Sequence, residues 1–236
     1  YGKLSGLTIL EPSSVDEAKQ MAIDAFDISE ALQEPVILRT TTRINHSTGS
    51  VELGPIKERI TQGHFEKDPQ NKVAVPAVAR KLHAKLLEKI EQAEGLANQS
   101  PYNFIEGSGE RGIICNGVSY NYVTDAIKEL KIEDKIKVFR VGFSNPMPTD
   151  LVIKFLKDCS QVLVVEEGEP VMQEAVKAMA QEEQIVIPIK GKEKGLLSRL
   201  YEYDPAMVKR SITQFFGIAS DQTELLDMSD VPEIPQ

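Results

Sequence analysis

The 236-residue sequence predicts an α/β protein: a parallel-sheet βαβ domain preceded by a partial second α/β domain. Three observations predict it. Between Arg111 and Gly191, short apolar runs at 112–117, 137–143, 162–166 and 185–189 each end at turn residues. Between the runs, apolar positions recur at helical spacing: Val118, Tyr122, Val123, Ala126, Ile127 and Leu130, then Leu151, Val152, Phe155 and Leu156, then Val171, Ala175 and Met179. Strands joined by helices need a parallel or mostly parallel sheet with right-handed crossovers. Function then gathers at the carboxyl edge, where Gly117, Ser144-Asn145 and Glu166-Glu167-Gly168 fall.

Upstream, an apolar run at 8–10 is stopped by Pro12, and Ser14 with Glu17 forms a capping box. A helix follows to about Leu32, burying Ala18, Met21, Ala22, Ala25 and Phe26. Pro35 then opens a β-branched stretch, 36–44, expected to be a strand. Residues 8–44 thus form a further βαβ unit, with too few strands to cover a parallel sheet, so its neighbours come from elsewhere. The irregular stretch 45–75 is long enough to be functional, a linker or a segment packed on something missing. Pro76 starts a helix to about Glu94, closed by Gly95, with Val78, Leu82, Leu86 and Ile90 as one apolar stripe across a domain surface. Polar residues 98–110 lead into the βα series, and a last helix is expected at 205–216 before an acidic tail.

Apolar residues make up 41% and charged residues 27%, enough for a real core. A net charge of -9 argues against a general phosphate-backbone binder, although a total does not exclude a local basic patch. Cys115 and Cys159 stand apart from any Cys-x-x-Cys and read as small buried residues in a reducing cytosol. No run reaches the ~18 apolar residues of a membrane span and no signal peptide is present, so a cytoplasmic location is expected. A start at Tyr1 and a proline-punctuated end at 231–236 lead us to expect a piece of a longer polypeptide.

Gly107-Ser-Gly-Glu-Arg-Gly112 has the letters of a dinucleotide fingerprint but precedes its strand instead of following one. The 112–119 stretch has phosphate-loop spacing, with Val118 where the lysine is required, so it reads as a tight strand-to-helix turn whose N–H groups after Gly117 could meet a small anion. Arg39-Thr-Thr-Thr-Arg43 with His46 is a polar cluster on an apolar strand, facing either a ligand or subunit, or simply solvent. Neither His46 nor His64 nor His83 accompanies a nucleophile motif. Glu166 and Glu167 would point to opposite faces of a continuing strand, so an interface or a helix N-terminal charge is the better reading than an acid/base pair.

Taken together, Leu10-Glu-Pro-Ser13, Glu17-Ala18, Ala25-Phe26, Ser29-Glu30, the 35–43 segment and His46 resemble the alpha subunit of indolepyruvate:ferredoxin oxidoreductase. Gly112-Ile-Ile, 116–123, Gly142, Pro146-Met-Pro148, 164–167 and Gly191-Lys192 follow the same family in order. Arg43-x-x-His46 also resembles an Arg-Thr-Ser-His element of the related pyruvate enzymes. The resemblance implies a thiamine diphosphate and Mg²⁺ enzyme that converts an aryl 2-oxo acid to acyl-CoA and passes electrons through iron–sulfur clusters to ferredoxin. It implies a division into an incomplete pyrimidine-binding-like half-domain (1–66), a linker with a long helix (67–104), a transketolase C-terminal-like domain (105–220) and a tail (221–236).

It also implies partners: the rest of an alpha chain, a beta subunit, ferredoxin, CoA and the 2-oxo acid. The sequence lacks the Gly-Asp-Gly segment and clustered cysteines such an enzyme needs, so this piece is expected to be a structural and interface portion, inactive alone. Residues expected to face cofactor, CoA or partner are Arg39, Thr40, Thr41, Thr42, Arg43, His46, Gly117, Glu166 and Glu167. The alternatives are a sister enzyme for pyruvate or 2-oxoglutarate, and a non-catalytic α/β module that binds a small anion or a partner.

Overall fold

A computed structural model describes residues 2–55 and 63–219. Helix α1 (Gly2–Ser5) leads into strand β1 (Thr8–Leu10), and α2 follows over Val15–Leu32. The Ser14 hydroxyl caps α2 by accepting from the Glu17 N–H at 3.2 Å. The reciprocal half of the capping box is displaced: Glu17 accepts from the Ser13 N–H at 2.6 Å and the Ser13 hydroxyl at 2.9 Å. Met21, Ala25 and Ile28 turn inward at helical spacing, which carries Phe26 outward to 73% exposure, against the expectation that it is buried.

Strand β2 (Val36–Leu38) runs parallel to β1, pairing Thr8 with Val36 and Leu10 with Leu38. It stops well short of Ile44 because its partner stops. The Arg39 N–H donates to Leu10 O at 2.8 Å, and Pro12 then removes any further ladder from β1. With no strand to pair with, Thr42–Asn45 coil into a short helix, α3, and bury Ile44 against Val118 and Tyr122. The strand expected through 44 is therefore a three-residue strand, a turn and a helix.

After α4 (Pro69–Lys72), α5 spans Pro76–Gln99, so Gly95 is an interior position and not a cap. A Cβ at Gly95 would meet nothing within 4 Å, and the stripe continues through buried Ala93 and Ala97, which hold the helix to the protein. The polar stretch that follows contains an unexpected strand, β3 (Asn103–Gly107). Strand β4 (Arg111–Asn116), helix α6 (Ser119–Leu130) and strand β5 (Ile136–Val141) follow as the apolar runs predict.

Beyond Gly142 the chain forms β6 (Phe143–Asn145), α7 (Thr149–Lys157), β7 (Gln161–Val165), α8 (Val171–Glu182), β8 (Ile189–Lys190) and α9 (Pro205–Phe216). The larger sheet has the order β3-β5-β4-β7-β8; β5, β4, β7 and β8 are parallel, and β3 is antiparallel to β5. Strand β8 is two residues long and keeps only Ile189 of the expected 185–189 run, because Pro188 cannot donate to the ladder and Val186 is 95% exposed. Helices α6 and α9 cover one face over Ile113, Val123 and Ile212; α7 and α8 cover the other over Ile114, Phe155 and Val176.

The neighbour missing from the 8–44 unit is β6, which pairs antiparallel with β1 in a small sheet of order β2-β1-β6. One chain therefore feeds both sheets, β5 into the larger and β6 into the smaller. Asn103 holds the bend between them: its amide donates to Ala97 O and Phe143 O, and its carbonyl accepts from the N–H groups of Gly142 and Phe143. Gly142 allows the close approach, since a Cβ there would lie 2.7 Å from Arg140 Nη1 and 2.8 Å from Tyr102 O. Arg140, 1% exposed, crosses to the first unit, donating to Tyr102 O at 2.8 Å and pairing with Glu17 on α2.

Replacing Arg140 by Ala removes the ion-pair partner of Glu17, which keeps only its Ser13 bonds, and the expected loss is about 3–5 kcal/mol, as for other broken buried pairs. Urea unfolding checks this. Phe26→Ser, on the exposed face of α2, should change stability by less than about 0.5 kcal/mol in the same experiment.

Candidate functional site

The carboxyl ends of β1, β2, β4 and β7 meet at one place, and Glu11 is its centre. Because β1 ends at Leu10, Glu11 is the first residue past the strand, 5% exposed, with its N–H on Gly142 O at 2.7 Å. One carboxylate oxygen accepts from the Ser144 hydroxyl at 2.6 Å. The other accepts from the Asn116 amide at 3.1 Å and pairs with Arg39. Asn116 is the last residue of β4 and Arg39 the first after β2, so strand length puts each in reach. Gly117 turns away at φ +49, a conformation that side chains rarely adopt, and leads straight into α6 as the turn reading predicts.

Glu166 follows β7 and is 4% exposed. Its two oxygens accept from the N–H groups of Met172 and Gln173, both at 2.8 Å, in the first turn of α8. Burial pushes its carboxyl above the usual range, and those two N–H groups and Lys192 pull it back. Glu167 turns elsewhere and accepts from the Tyr203 N–H at 2.9 Å. Glu166 alone sits as a charge at the N-terminus of α8.

Behind Glu166, Lys192 donates to Glu166 O, to the Tyr203 hydroxyl, and to Ser198 O at 2.9 Å. Its ammonium lies 4.5 Å from the centre of the Tyr203 ring. Burial lowers its pKa to about 8, against the opposing pull of Glu166, Glu167 and Glu169.

A cleft of about 640 Å³ opens over this edge. Its polar end is made by Glu11, Arg39, Asn116, Ser144, Glu166 and Glu167, and its apolar walls by Ile9, Ile90, Met147, Val171, Met172 and Met179. Of the residues singled out from sequence, Arg39, Glu166 and Glu167 line it, and Gly117 sits against Glu11. The others lie off it. Thr40 bonds Asn45 at 2.8 Å, Thr41 caps α3 with its hydroxyl oxygen buried and unpaired, and Thr42 is exposed at the start of α3. Arg43 reaches Glu202 at 4.0 Å, and His46 is exposed at the C-cap of α3.

Glu11, Asn116 and Lys192 escaped sequence reading as site residues, and Ser144 reads there only as lying on the carboxyl edge. Only Arg140 carried a signal, a charge inside an apolar strand that demands a buried partner.

The described residues do not fit the diphosphate–metal end of thiamine diphosphate. Glu11, Glu94, Glu166, Glu167, Glu169 and Glu182 line the cleft against Lys3 and Arg39, which is the wrong sign for a diphosphate. Among the described residues no group of three His, Cys, Asp or Glu side chains is placed to hold a metal ion, and no helix is long and apolar enough to cross a membrane.

A mostly parallel sheet with a cleft over its carboxyl edge defines an α/β protein whose candidate site lies at the strand ends. No protein-family model matches the chain. It is 38% identical over 238 residues to indolepyruvate oxidoreductase subunit IorA of Methanothermobacter thermautotrophicus, covering 100% of this chain and 38% of that subunit. To subunit IorA of Thermococcus kodakarensis it is 43% identical over 225 residues, covering 92% of this chain and 34% of the subunit.

Among solved structures, the 2-oxoglutarate:ferredoxin oxidoreductase of Magnetococcus marinus, with 2-oxoglutarate, coenzyme A and succinyl-CoA bound, shares the fold at a TM-score of 0.57 and 18% identity, over 88% of this chain and 42% of that one. The chain is related to a portion of indolepyruvate oxidoreductase subunit IorA, and it spans little more than a third of the length of the curated relatives it matches.

Because the folded pKa of Lys192 lies below its ordinary 10.5, the folded state holds fewer protons than the unfolded state between about pH 8 and 10.5. Stability contributed by this group therefore rises with pH across that window. The gap in urea midpoint between the parent and Lys192→Met should shift in the parent's favour from pH 7 to pH 9.5.

Proposed function

We propose that this chain serves as one portion of a 2-oxoacid:ferredoxin oxidoreductase of the aryl-pyruvate type. In that reaction indolepyruvate loses CO₂, its acyl group is joined to CoA, and two electrons pass to ferredoxin. The observation that carries the reading is 36–43% identity to IorA subunits over at least 92% of this chain. Thiamine diphosphate with Mg²⁺ supplies the carbanion chemistry in such an enzyme, and iron–sulfur clusters carry the electrons. This chain supplies structure and contact surface, with residues 1–66 as half of a pyrimidine-binding-like domain and 105–220 as the transketolase C-terminal-like domain.

Within that role, Arg39 and Glu11 do the most at the site. The pair fixes the polar end of the cleft, and Asn116 and Ser144 hold the Glu11 carboxylate in one orientation. Arg39 keeps 44% of its side chain exposed, so its remaining N–H groups face the opening, toward substrate, CoA or a neighbouring subunit. Glu166 and Glu167 hold the opposite lip by tying the end of β7 to α8 and to Tyr203.

The test is turnover by the complex assembled from this chain, the remainder of an alpha chain and a beta subunit. Ferredoxin reduction should require both CoA and a 2-oxo acid, with kcat/KM for indolepyruvate above those for pyruvate and 2-oxoglutarate by about 10- to 200-fold, the range apolar pockets achieve. A preference for either smaller acid would transfer the reading to the sister enzyme. No 2-oxo acid turnover by the fully loaded complex would leave only a binding module.

A further inference from the structure

Among the described residues the two sheets present four outer edges, on β2, β6, β3 and β8, and three of them are blunted. On β6 the Asn103 side chain takes both the N–H and the carbonyl of Phe143. Strand β3 ends in exposed Glu106 and Gly107, and β8 has two residues, with Pro188 before them and exposed Lys190 at the end. Charges, prolines and short strands keep a sheet edge from pairing. Strand β2 is short too, but its outer side is bare. The Arg39 N–H faces β1, on Leu10 O, and hydrogen-bonding groups alternate from one side of a strand to the other. The N–H and carbonyl groups of Val36 and Leu38 therefore point away from β1, where no strand of the described residues receives them. Their side chains pack against the core of Leu10 and Met21, so this apolar edge is fixed before anything reaches it.

We infer that the outer edge of β2 is a pairing site for an extended segment of the longer polypeptide to which this chain belongs. Strand addition uses the main-chain groups that Val36 and Leu38 leave open, and it enlarges a sheet that is small at three strands. The relatives match 92–100% of this chain but are themselves covered only to 34–38%, so most of such a subunit lies outside it. A segment on the same polypeptide arrives at high effective concentration. A second copy would have to approach edge to edge against a net charge of -9 on each chain. The inference rests on the reading of this chain as a portion of a longer subunit, and not on the reaction that subunit performs.

The test is hydrogen exchange at single-residue resolution, in the longer protein and in this chain alone. In this chain the Leu38 amide should exchange at least about 100-fold faster than that of Arg39, which β1 already holds. In the longer protein the two should be protected alike. Leu38→Pro removes the outward N–H and no bond to β1, so it should lower the melting temperature of the longer protein further than that of this chain.

Fast exchange at Leu38 in the longer protein overturns the proposal, as does a gene that encodes nothing beyond this chain. Protection that appears in this chain alone and grows with its concentration also overturns it, because a second copy is then the partner. Equal losses from Leu38→Pro in both proteins do the same, since Leu38 is then covered without being paired. None of these outcomes depends on turnover, so the reading of the reaction can fail while the pairing stands.

Discussion

A single buried guanidinium decides how the two α/β units meet. Arg140 lies on β5, between β3 and β4 of the larger sheet, yet every polar partner of its side chain is outside that sheet: Tyr102 O, Glu11 O at 3.4 Å and the carboxylate of Glu17. The rings of Phe104 and Tyr120 lie on it at 5.7 and 5.8 Å. Burying such a charge is costly, and an apolar residue of similar size would stabilise the core as well or better. What an apolar residue lacks is direction. The fork of Arg140 accepts only one placement of β1 and the first turn of α2, so the first unit is registered on the second and not merely attached to it.

The site inherits that registration through Glu11. The same residue that gives its backbone carbonyl to Arg140 gives its carboxylate to Asn116, Ser144 and Arg39. Its N–H is held by Gly142, at the bend where β5 becomes β6. A residue from the first unit is thus oriented by three elements of the second and one of its own. Arg39, just past a short strand at the edge of a small sheet, would otherwise be a surface arginine. Held by Glu11, it becomes a fixed feature of the cleft, and packing is converted into a defined electrostatic arrangement.

The sequence made the central strands and their crossovers legible because both periodicities are clean there, apolar runs for β4, β5 and β7 and helical spacing for α6, α7 and α8. Where local propensity and tertiary context disagree, context wins. The β-branched 36–44 stretch has strand propensity, but its partner strand ends, and the chain coils once pairing is gone. Strand β3 reads as polar because it lies at the edge of the sheet and is buried fully only at Asn103. Gly95 looks like a stop signal, yet alanines on either side of it are buried, and packing outweighs the ~1 kcal/mol that a helical glycine costs.

The site was less legible, for a different reason. Polarity picked out the Arg39-to-His46 segment, but polarity carries no direction, and only Arg39 of that group lines the cleft. Glu166 was readable as a helix-terminal charge because its logic is local, six or seven residues from donor to acceptor, whereas Glu167 accepts from Tyr203 across 36 residues. Glu11 meets Asn116 and Ser144 across 105 and 133 residues, and no local pattern encodes such a meeting.

Lys192 shows the same limit from the other side. Its low pKa and its three donated bonds arise from a loop folding back over β7 and α8, and the sequence around it, Gly-Lys-Glu-Lys, reads as solvent-facing charge. In this protein the groups that define the cleft are those whose partners lie farthest away in the chain. The junction that brings those partners together therefore limits the site as much as the site residues themselves.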